Sequence, residues 1–239
     1  MMNANTAARL AGTIAALRSN WSDRCVLCLA RGAQQGLCAD CRSDLPRLPG
    51  ECCPVCALPS PAGAVCGACA SSSPSYDAVR AAAPYQFPLD ALVSALKYGE
   101  RLALAPVLGQ LLADHIAADA SPDLIVPMPL APLRMRTRGF NQALEIARAL
   151  PRRWLDRIAT DVLQRRRDTA PQASLPLPER GANVRDAFVA RRPFDGLDVV
   201  IVDDVMTTGA TLHEAAAALK RAGAARVRGW ILARTLVRE

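Results

Sequence analysis

The sequence predicts an α/β fold, a parallel sheet flanked by helices, preceded by a small module held together by metal. Three observations carry this. Val199-Val200-Ile201-Val202 is apolar on both faces, the pattern of a strand buried inside a parallel sheet. From residue 76 onward, further short apolar runs alternate with helical patterns. Eight of the nine cysteines fall into four Cys-x-x-Cys pairs, all before residue 70.

Length and composition set the bounds. A chain of 239 residues forms one large domain or two smaller ones. No uncharged apolar run reaches the ~18 residues that a membrane span requires, so no span is expected. The formal charge is +7, but eight zinc-bound thiolates with two zinc ions would lower it to roughly +3. Basicity is therefore weak evidence for nucleic acid. Residues 1–20 place Leu10, Ile14 and Leu17 at helical spacing and read as a short amphipathic helix. A signal peptide fits less well, because Arg9 and Arg18 interrupt the apolar stretch instead of preceding it. With thiols kept reduced for metal, the expected location is cytoplasmic.

Residues 21–72 form the cysteine module. Cys25-x-x-Cys28 is followed by Cys38-x-x-Cys41, and Cys53-x-x-Cys56 by Cys66-x-x-Cys69, with the same spacing in both units. A two-residue gap lets both sulfurs of a pair reach one tetrahedral ion about 2.3 Å away. Few large apolar residues lie here, so metal must supply the folding energy. One structural zinc per unit is the simplest assignment. Pairing across the units, or loss of one metal, is also compatible with the spacing, as is exchange of Cys52 for Cys53. Residues 70–75, Ala-Ser-Ser-Ser-Pro-Ser, are a small polar linker, and the α/β domain is placed at 76–239.

Within that domain the elements follow in order. Ala78 to Ala83 reads as a strand, and Pro88 starts a helix carrying Leu89, Leu92, Val93 and Leu96, closed by Lys97-Tyr98-Gly99. A second helix is expected over about 102–116 and a short buried strand over 123–127. The prolines of Pro127-Met-Pro-Leu-Ala-Pro132 predict an extended, rigid exit, after which come Arg134, Arg136 and Arg138 and a helix to about Leu150. Arginines at the carboxyl end of a buried strand suit a polyphosphate. Val162-Leu163, Ala187 to Ala190 and Arg226 to Ala233 read as further strands. Residues 164–183, basic and proline-rich without periodicity, read as a functional loop able to close over an anion.

The strand at Val199 runs directly into Asp203 and Asp204, then Thr207, Thr208, Gly209, Ala210 and Thr211. A helix follows, with Leu212, Ala216 and Leu219 on one stripe and Gly223 suited to its end. Its N-terminus offers unpaired N–H groups to an anion, the threonines add hydroxyls, and Gly209 permits close backbone approach. Carboxylates beside a phosphate cradle suit a sugar phosphate: the acids accept from ribose hydroxyls while the loop holds the 5-phosphate. His213, one turn into this helix, is within reach of such a ligand, and His115 reads as a surface residue.

Taken together, these residues resemble the ComF (GntX-like) family of phosphoribosyltransferase-like proteins. The likeness covers the paired cysteine knuckles, Leu96-Lys-Tyr-Gly99, Val126-Pro-Met-Pro-Leu130, Arg138-Gly-Phe-Asn-Gln142, Arg167-Asp-Thr-Ala-Pro-Gln172, Asn183-Val-Arg185 and the Asp203-Asp204 motif. The resemblance implies a type I phosphoribosyltransferase-like fold after a double zinc ribbon, with phosphoribosyl pyrophosphate (PRPP) and Mg²⁺ as ligands. It assigns the ribose hydroxyls to Asp203 and Asp204, and the 5-phosphate to Thr207, Thr208, Gly209, Ala210 and Thr211. Pyrophosphate would lie near Arg138, with Arg134 or Arg136 beside it. The implied reaction is phosphoribosyl transfer to a nitrogenous acceptor with release of pyrophosphate. The resemblance also implies a role in handling single-stranded DNA or in engaging a DNA-processing protein, for which a non-catalytic PRPP-binding protein would suffice. No hood for an acceptor base is identifiable, and Trp21 is the one aromatic near the knuckles available for stacking.

Overall fold

The computed structural model describes residues 23–99, 101–166 and 186–236. The helix expected over 1–20 lies outside the described residues, as do residues 167–183 of the expected loop. The chain divides into two compact units, one ending at Leu45 and the other beginning at Pro46. The second cysteine tetrad thus falls in the same unit as the α/β fold.

The two cysteine repeats share one local construction. The Cys25 carbonyl accepts from Leu29 N and the Cys53 carbonyl from Ala57 N, both at 2.9 Å. Leu29 and Ala57 each take a positive φ, 65° and 59°, to turn the chain back. In each repeat the second Cys-x-x-Cys pair opens a short helix, α1 (Ala39–Ser43) after Cys38 and α2 (Gly67–Ser71) after Cys66. Their surroundings differ. In the first unit the buried apolar residues are Cys25 and Leu37. In the second, Cys53, Cys56, Ala57 and Cys69 join one buried cluster with Tyr76, Val79, Met206 and Leu212 of the α/β fold.

The α/β fold contains strands β1 (Ala78–Pro84), β2 (Leu124–Pro127), β3 (Leu163–Arg165), β4 (Phe188–Ala190), β5 (Asp198–Met206) and β6 (Arg226–Arg234). Four of them form a parallel sheet in the order β1-β6-β5-β2, with Leu124 opposite Val199, and Val199 opposite Val227. β5 is central, and Val199 to Val202 are buried on both faces. β3 and β4 do not extend this sheet. They pair antiparallel with each other, Leu163 opposite Ala190.

The helices are α3 (Leu89–Tyr98), α4 (Ala105–His115), α5 (Pro132–Arg138), α6 (Gln142–Arg148), α7 (Arg152–Leu155) and α8 (Ala210–Arg221). The expected stripe of α3, Leu89, Leu92, Val93 and Leu96, is buried. α8 ends as expected, with Gly223 at φ +100° just beyond its last turn. The exit of β2 stays non-helical through Ala131, as expected, but ends one residue early. Pro132 sits at the first turn of α5, where its missing N–H costs nothing, and Gly139 at φ +77° ends that helix. The arginines therefore stand on a helix.

At the edge of the sheet remote from Asp203 and Asp204, Arg228 is buried and its charge is matched. Its guanidinium donates to Asp119 at 2.6 Å and to Asp198 at 2.9 and 3.1 Å, and Trp230 Nε1 donates to the same Asp119 carboxylate at 2.7 Å. Removing one acid leaves a buried cation and an indole N–H short of an acceptor. Asp119→Ala is expected to lower the unfolding free energy by about 3 kcal/mol, measured as a lower urea midpoint at unchanged slope.

Candidate functional site

Each cysteine tetrad fits zinc. The four sulfurs of Cys25, Cys28, Cys38 and Cys41 lie within 4.8 Å of one another, as do those of Cys53, Cys56, Cys66 and Cys69. Cys28 and Cys38 Sγ are 3.7 Å apart, and Cys56 and Cys66 Sγ 3.6 Å. Four thiolates at about 2.3 Å from one tetrahedral ion stand about 3.8 Å apart. The pairing is thus one tetrad per repeat. Backbone N–H groups point at the sulfurs: Cys41 N donates to Cys38 Sγ at 3.4 Å and Cys66 N to Cys53 Sγ at 3.3 Å. Burial opposes ionisation of Cys25 and Cys53, but neighbouring backbone N–H groups outweigh it and bring them down to about 6 and about 7. Hydrogen bonding to the sulfurs of Cys28 and Cys38 pushes Cys41 up, and burial with sulfur contacts does the same for Cys69. A divalent cation would relieve this crowding. Cys52 stands apart, its thiol donating to the Pro49 carbonyl at 3.3 Å.

At the carboxyl end of the parallel sheet lies a cleft of about 410 Å³. Its floor is the end of β5, with Asp203 and Asp204. One wall is the turn Thr207–Leu212, and the other combines the exit of β2 with Arg134 and Arg138 of α5. Lys97 and Tyr98 at the end of α3 and Gln142 of α6 complete it. Of the residues expected in the site, Asp203, Asp204, Thr207, Gly209, Ala210, Thr211 and Arg138 all line this cleft. Thr208 is exposed, and its hydroxyl accepts from Ala210 N at 3.3 Å, closing the first turn of α8. Gly209 takes φ +85°, and a Cβ there would lie 2.7 Å from Met206 Cε and 2.8 Å from the Tyr76 hydroxyl.

Adjacent residues of a strand start toward opposite faces, but at the end of β5 the two carboxyl groups still interact with each other. Asp203 shares its face with Val199 and Ile201, which pack with Leu212 and Leu219 of α8. Asp204 points to the other face, is 3% exposed, and meets Lys97 of α3 in an ion pair. Gln142 Nε2 donates to Asp204 Oδ1 at 3.4 Å, and Arg138 donates to the Gln142 side-chain oxygen. The Arg138 guanidinium also lies 5.3 Å above the Tyr98 ring. A continuous polar chain thus joins the arginine helix to the acid. Burial opposes the Asp204 carboxylate, but the Lys97 ammonium and its hydrogen bonds hold it below the ordinary range. Burial, and then the Asp204 charge, pushes Asp203 well up. The cleft therefore carries one committed carboxylate and one that awaits positive charge or a hydroxyl donor.

Sequence reasoning assigned no role to Lys97 or Gln142. A signal was present for Lys97: it lies four residues after Val93 and eight after Leu89, on the apolar stripe of its helix, where a charge requires a partner. Gln142 is 6% exposed and follows Asn141, whose side chain accepts from Ala143 N and Leu144 N to start α6 and donates to the Met128 carbonyl at 3.0 Å. His213 does not line the cleft. Its Nδ1 accepts from Ser75 N at 3.0 Å and fastens the linker to α8.

A parallel sheet with an acid pair and a hydroxyl-rich helix start at its carboxyl edge, together with two cysteine tetrads, defines a phosphoribosyltransferase-type domain bearing zinc ribbons. The sequence profile of the phosphoribosyl transferase domain matches residues 103–238, and that of the double zinc ribbon domain matches residues 16–70. The chain is 38% identical over 223 residues to DNA utilization protein YhgH of Escherichia coli K12, spanning 89% of this chain and 97% of that protein. It is 32% identical over 239 residues to Competence protein F of Haemophilus influenzae, spanning 88% and 96%. With Competence protein ComFC of Streptococcus pneumoniae it shares 28% identity over 209 residues, spanning 87% and 92%. The chain belongs to the ComF family of phosphoribosyltransferase-domain proteins. Among the described residues no helix is long and apolar enough to cross a membrane.

Two variants test the site's physics. Because the folded chain holds the Asp203 proton more tightly than the unfolded chain does, stability is lost as pH rises above the unfolded value of about 3.9. Asp203→Asn is expected to melt above wild type at pH 7, by roughly 2–4 °C for each kcal/mol relieved. The gap should close as the pH falls below 4, and calorimetric scans across pH 3–8 read it out. Gly209→Ala, forced into a left-handed conformation against Met206 and Tyr76, is expected to lose about 1–3 kcal/mol, measured by chemical denaturation.

Proposed function

We propose that the cleft binds PRPP with Mg²⁺ and that this binding serves the use or uptake of single-stranded DNA. The observation that carries the first part is the joining of Asp203 and Asp204 to the Thr207–Thr211 turn at the start of α8, facing Arg134 and Arg138 across one cleft. Asp203 and Asp204 accept from the ribose hydroxyls. The turn and the α8 N-terminus hold the 5-phosphate. The arginine forks suit pyrophosphate, and a Mg²⁺ ion brought in with the ligand would offset part of its remaining charge. The names of the relatives, DNA utilization and competence proteins, support the second part.

The chemistry such a cleft supports is displacement of pyrophosphate from the anomeric carbon. The C1–O bond breaks with its electron pair leaving on pyrophosphate, and a nitrogen lone pair forms the new C1–N bond. The acids stabilise the positive ribosyl centre, and the arginines favour the leaving group. A protein that binds PRPP without turnover would serve the DNA role equally well, using the same cleft.

Calorimetric titration of PRPP and Mg²⁺ into zinc-loaded protein is expected to show saturable binding, absent in the Asp203→Asn, Asp204→Asn double variant. No binding by folded, zinc-replete wild type would overturn the proposal. Pyrophosphate release with nitrogenous acceptors then marks transfer. PRPP-dependent retention of single-stranded DNA without release marks a binding protein, with the salt slope counting phosphate contacts.

A further inference from the structure

Arg234, the last residue of β6, is 2% exposed. Its guanidinium is directed at backbone carbonyls. Nε donates to Cys56 O at 2.9 Å, while Nη1 donates to Met206 O and Thr235 O, each at 3.0 Å, and also contacts Thr207 O. Cys56 belongs to the second tetrad. Met206 and Thr207 begin the turn that forms the phosphate end of the cleft. One buried cation therefore bolts the zinc knuckle to that turn.

A second strut runs beside it. Tyr76 is buried in the cluster that contains Cys53, Cys56 and Cys69, and its hydroxyl lies under Gly209. The preceding residue, Ser75, is fixed to α8 through His213 Nδ1.

Burying a guanidinium against neutral carbonyls requires a counter-charge nearby. Four thiolates around one zinc ion carry about −2, and the second tetrad places that charge next to Arg234. Without the ion that ties its four sulfurs, the knuckle would no longer fix the Cys56 carbonyl that Arg234 grips.

We propose that the second zinc site is a working part of the phosphate-binding turn: Arg234 positions Met206 and Thr207 against the Cys56 knuckle, so that zinc in the second tetrad, and not in the first, sets the affinity of the cleft for PRPP. This rests on the assignment of the cleft to PRPP. Arg234 is a positioning residue and does not line the cleft. Linkage makes the effect reciprocal, so that bound PRPP also favours retention of the second zinc.

The test uses the full chain in four forms: wild type, Arg234→Gln, Cys25→Ser with Cys28→Ser to empty the first tetrad, and Cys66→Ser with Cys69→Ser to empty the second. Zinc content confirms each state. Amide hydrogen exchange over residues 205–212 is read beside PRPP titration, with residues 199–203 of β5 as the control for global folding. Arg234→Gln and the second-tetrad variant are expected to speed exchange in the turn and weaken PRPP, each on the order of 10-fold, equivalent to about 1.4 kcal/mol. Protection in β5 should persist, and the first-tetrad variant should match wild type in both readouts. Should the second-tetrad variant not fold, Arg234→Gln, which keeps all eight ligands, decides alone. Wild-type exchange in Arg234→Gln would overturn the proposal, as would equal loosening of the turn when only the first zinc is lost. A wild type that takes no PRPP would overturn the cleft's assignment and, with it, the affinity part of the proposal. The exchange readout would still decide whether Arg234 holds the turn.

Discussion

Two carboxylates on consecutive residues at the end of a buried strand set the terms for the rest of the cleft. They start toward opposite faces of the strand yet interact with each other, and the Lys97 charge acts on both, more strongly on Asp204. Asp204, turned toward the helices, receives Lys97 from α3 and Gln142 from α6, and through Gln142 is joined to Arg138. For Asp203 the Lys97 charge only partly offsets burial and the neighbouring Asp204 charge, and it carries the raised pKa. The positions of three helices relative to β5 follow from this demand. Move α3 by one turn and Lys97 leaves Asp204 uncompensated in a buried site.

The cysteine repeats show how one local design acquires two roles. The turn at Leu29 and at Ala57, the hydrogen bond each donates back to the first cysteine, and the helix starts after Cys38 and Cys66 occupy equivalent positions. What separates them is where the remaining surface goes. The first tetrad leaves Cys28 exposed, whereas three of the four cysteines of the second are buried with the α/β core. The second knuckle thus contributes apolar surface to the fold as well as metal ligands.

Much of this was legible in the residues themselves. The unbroken apolar run before Asp203 specifies a buried parallel strand, and the equal spacing of the two cysteine sets made one tetrad per unit the simplest assignment, now seen in the sulfur distances. Gly223 marked the end of α8 correctly. Other features depended on partners that spacing cannot reveal. Pro132 read as an extended exit because prolines cluster there, yet a proline is also at home in the first turn of a helix, and α5 uses it so. The strands near residues 163 and 188 were visible, but their pairing with each other, outside the parallel sheet, depends on the fold around them. Lys97 was hidden by its ordinary place in the last turn of a helix, where a cation suits the dipole in any case.

The antiparallel pairing of β3 and β4 has its own consequence. Arg166 N donates to Ala187 O at 2.8 Å just beyond the strands, so the residues on either side of segment 167–185 are held together at one point. A segment whose two ends are stapled together transmits little of its own length to the structure that holds it. Doubling such an excursion costs only about 0.6 kcal/mol in closure entropy. The pairing that joins residues 166 and 187 therefore tolerates a change in the length of the intervening segment at little cost. The same property offers the experimenter a place to graft a fluorophore or an affinity tag next to Arg165, which lines the cleft.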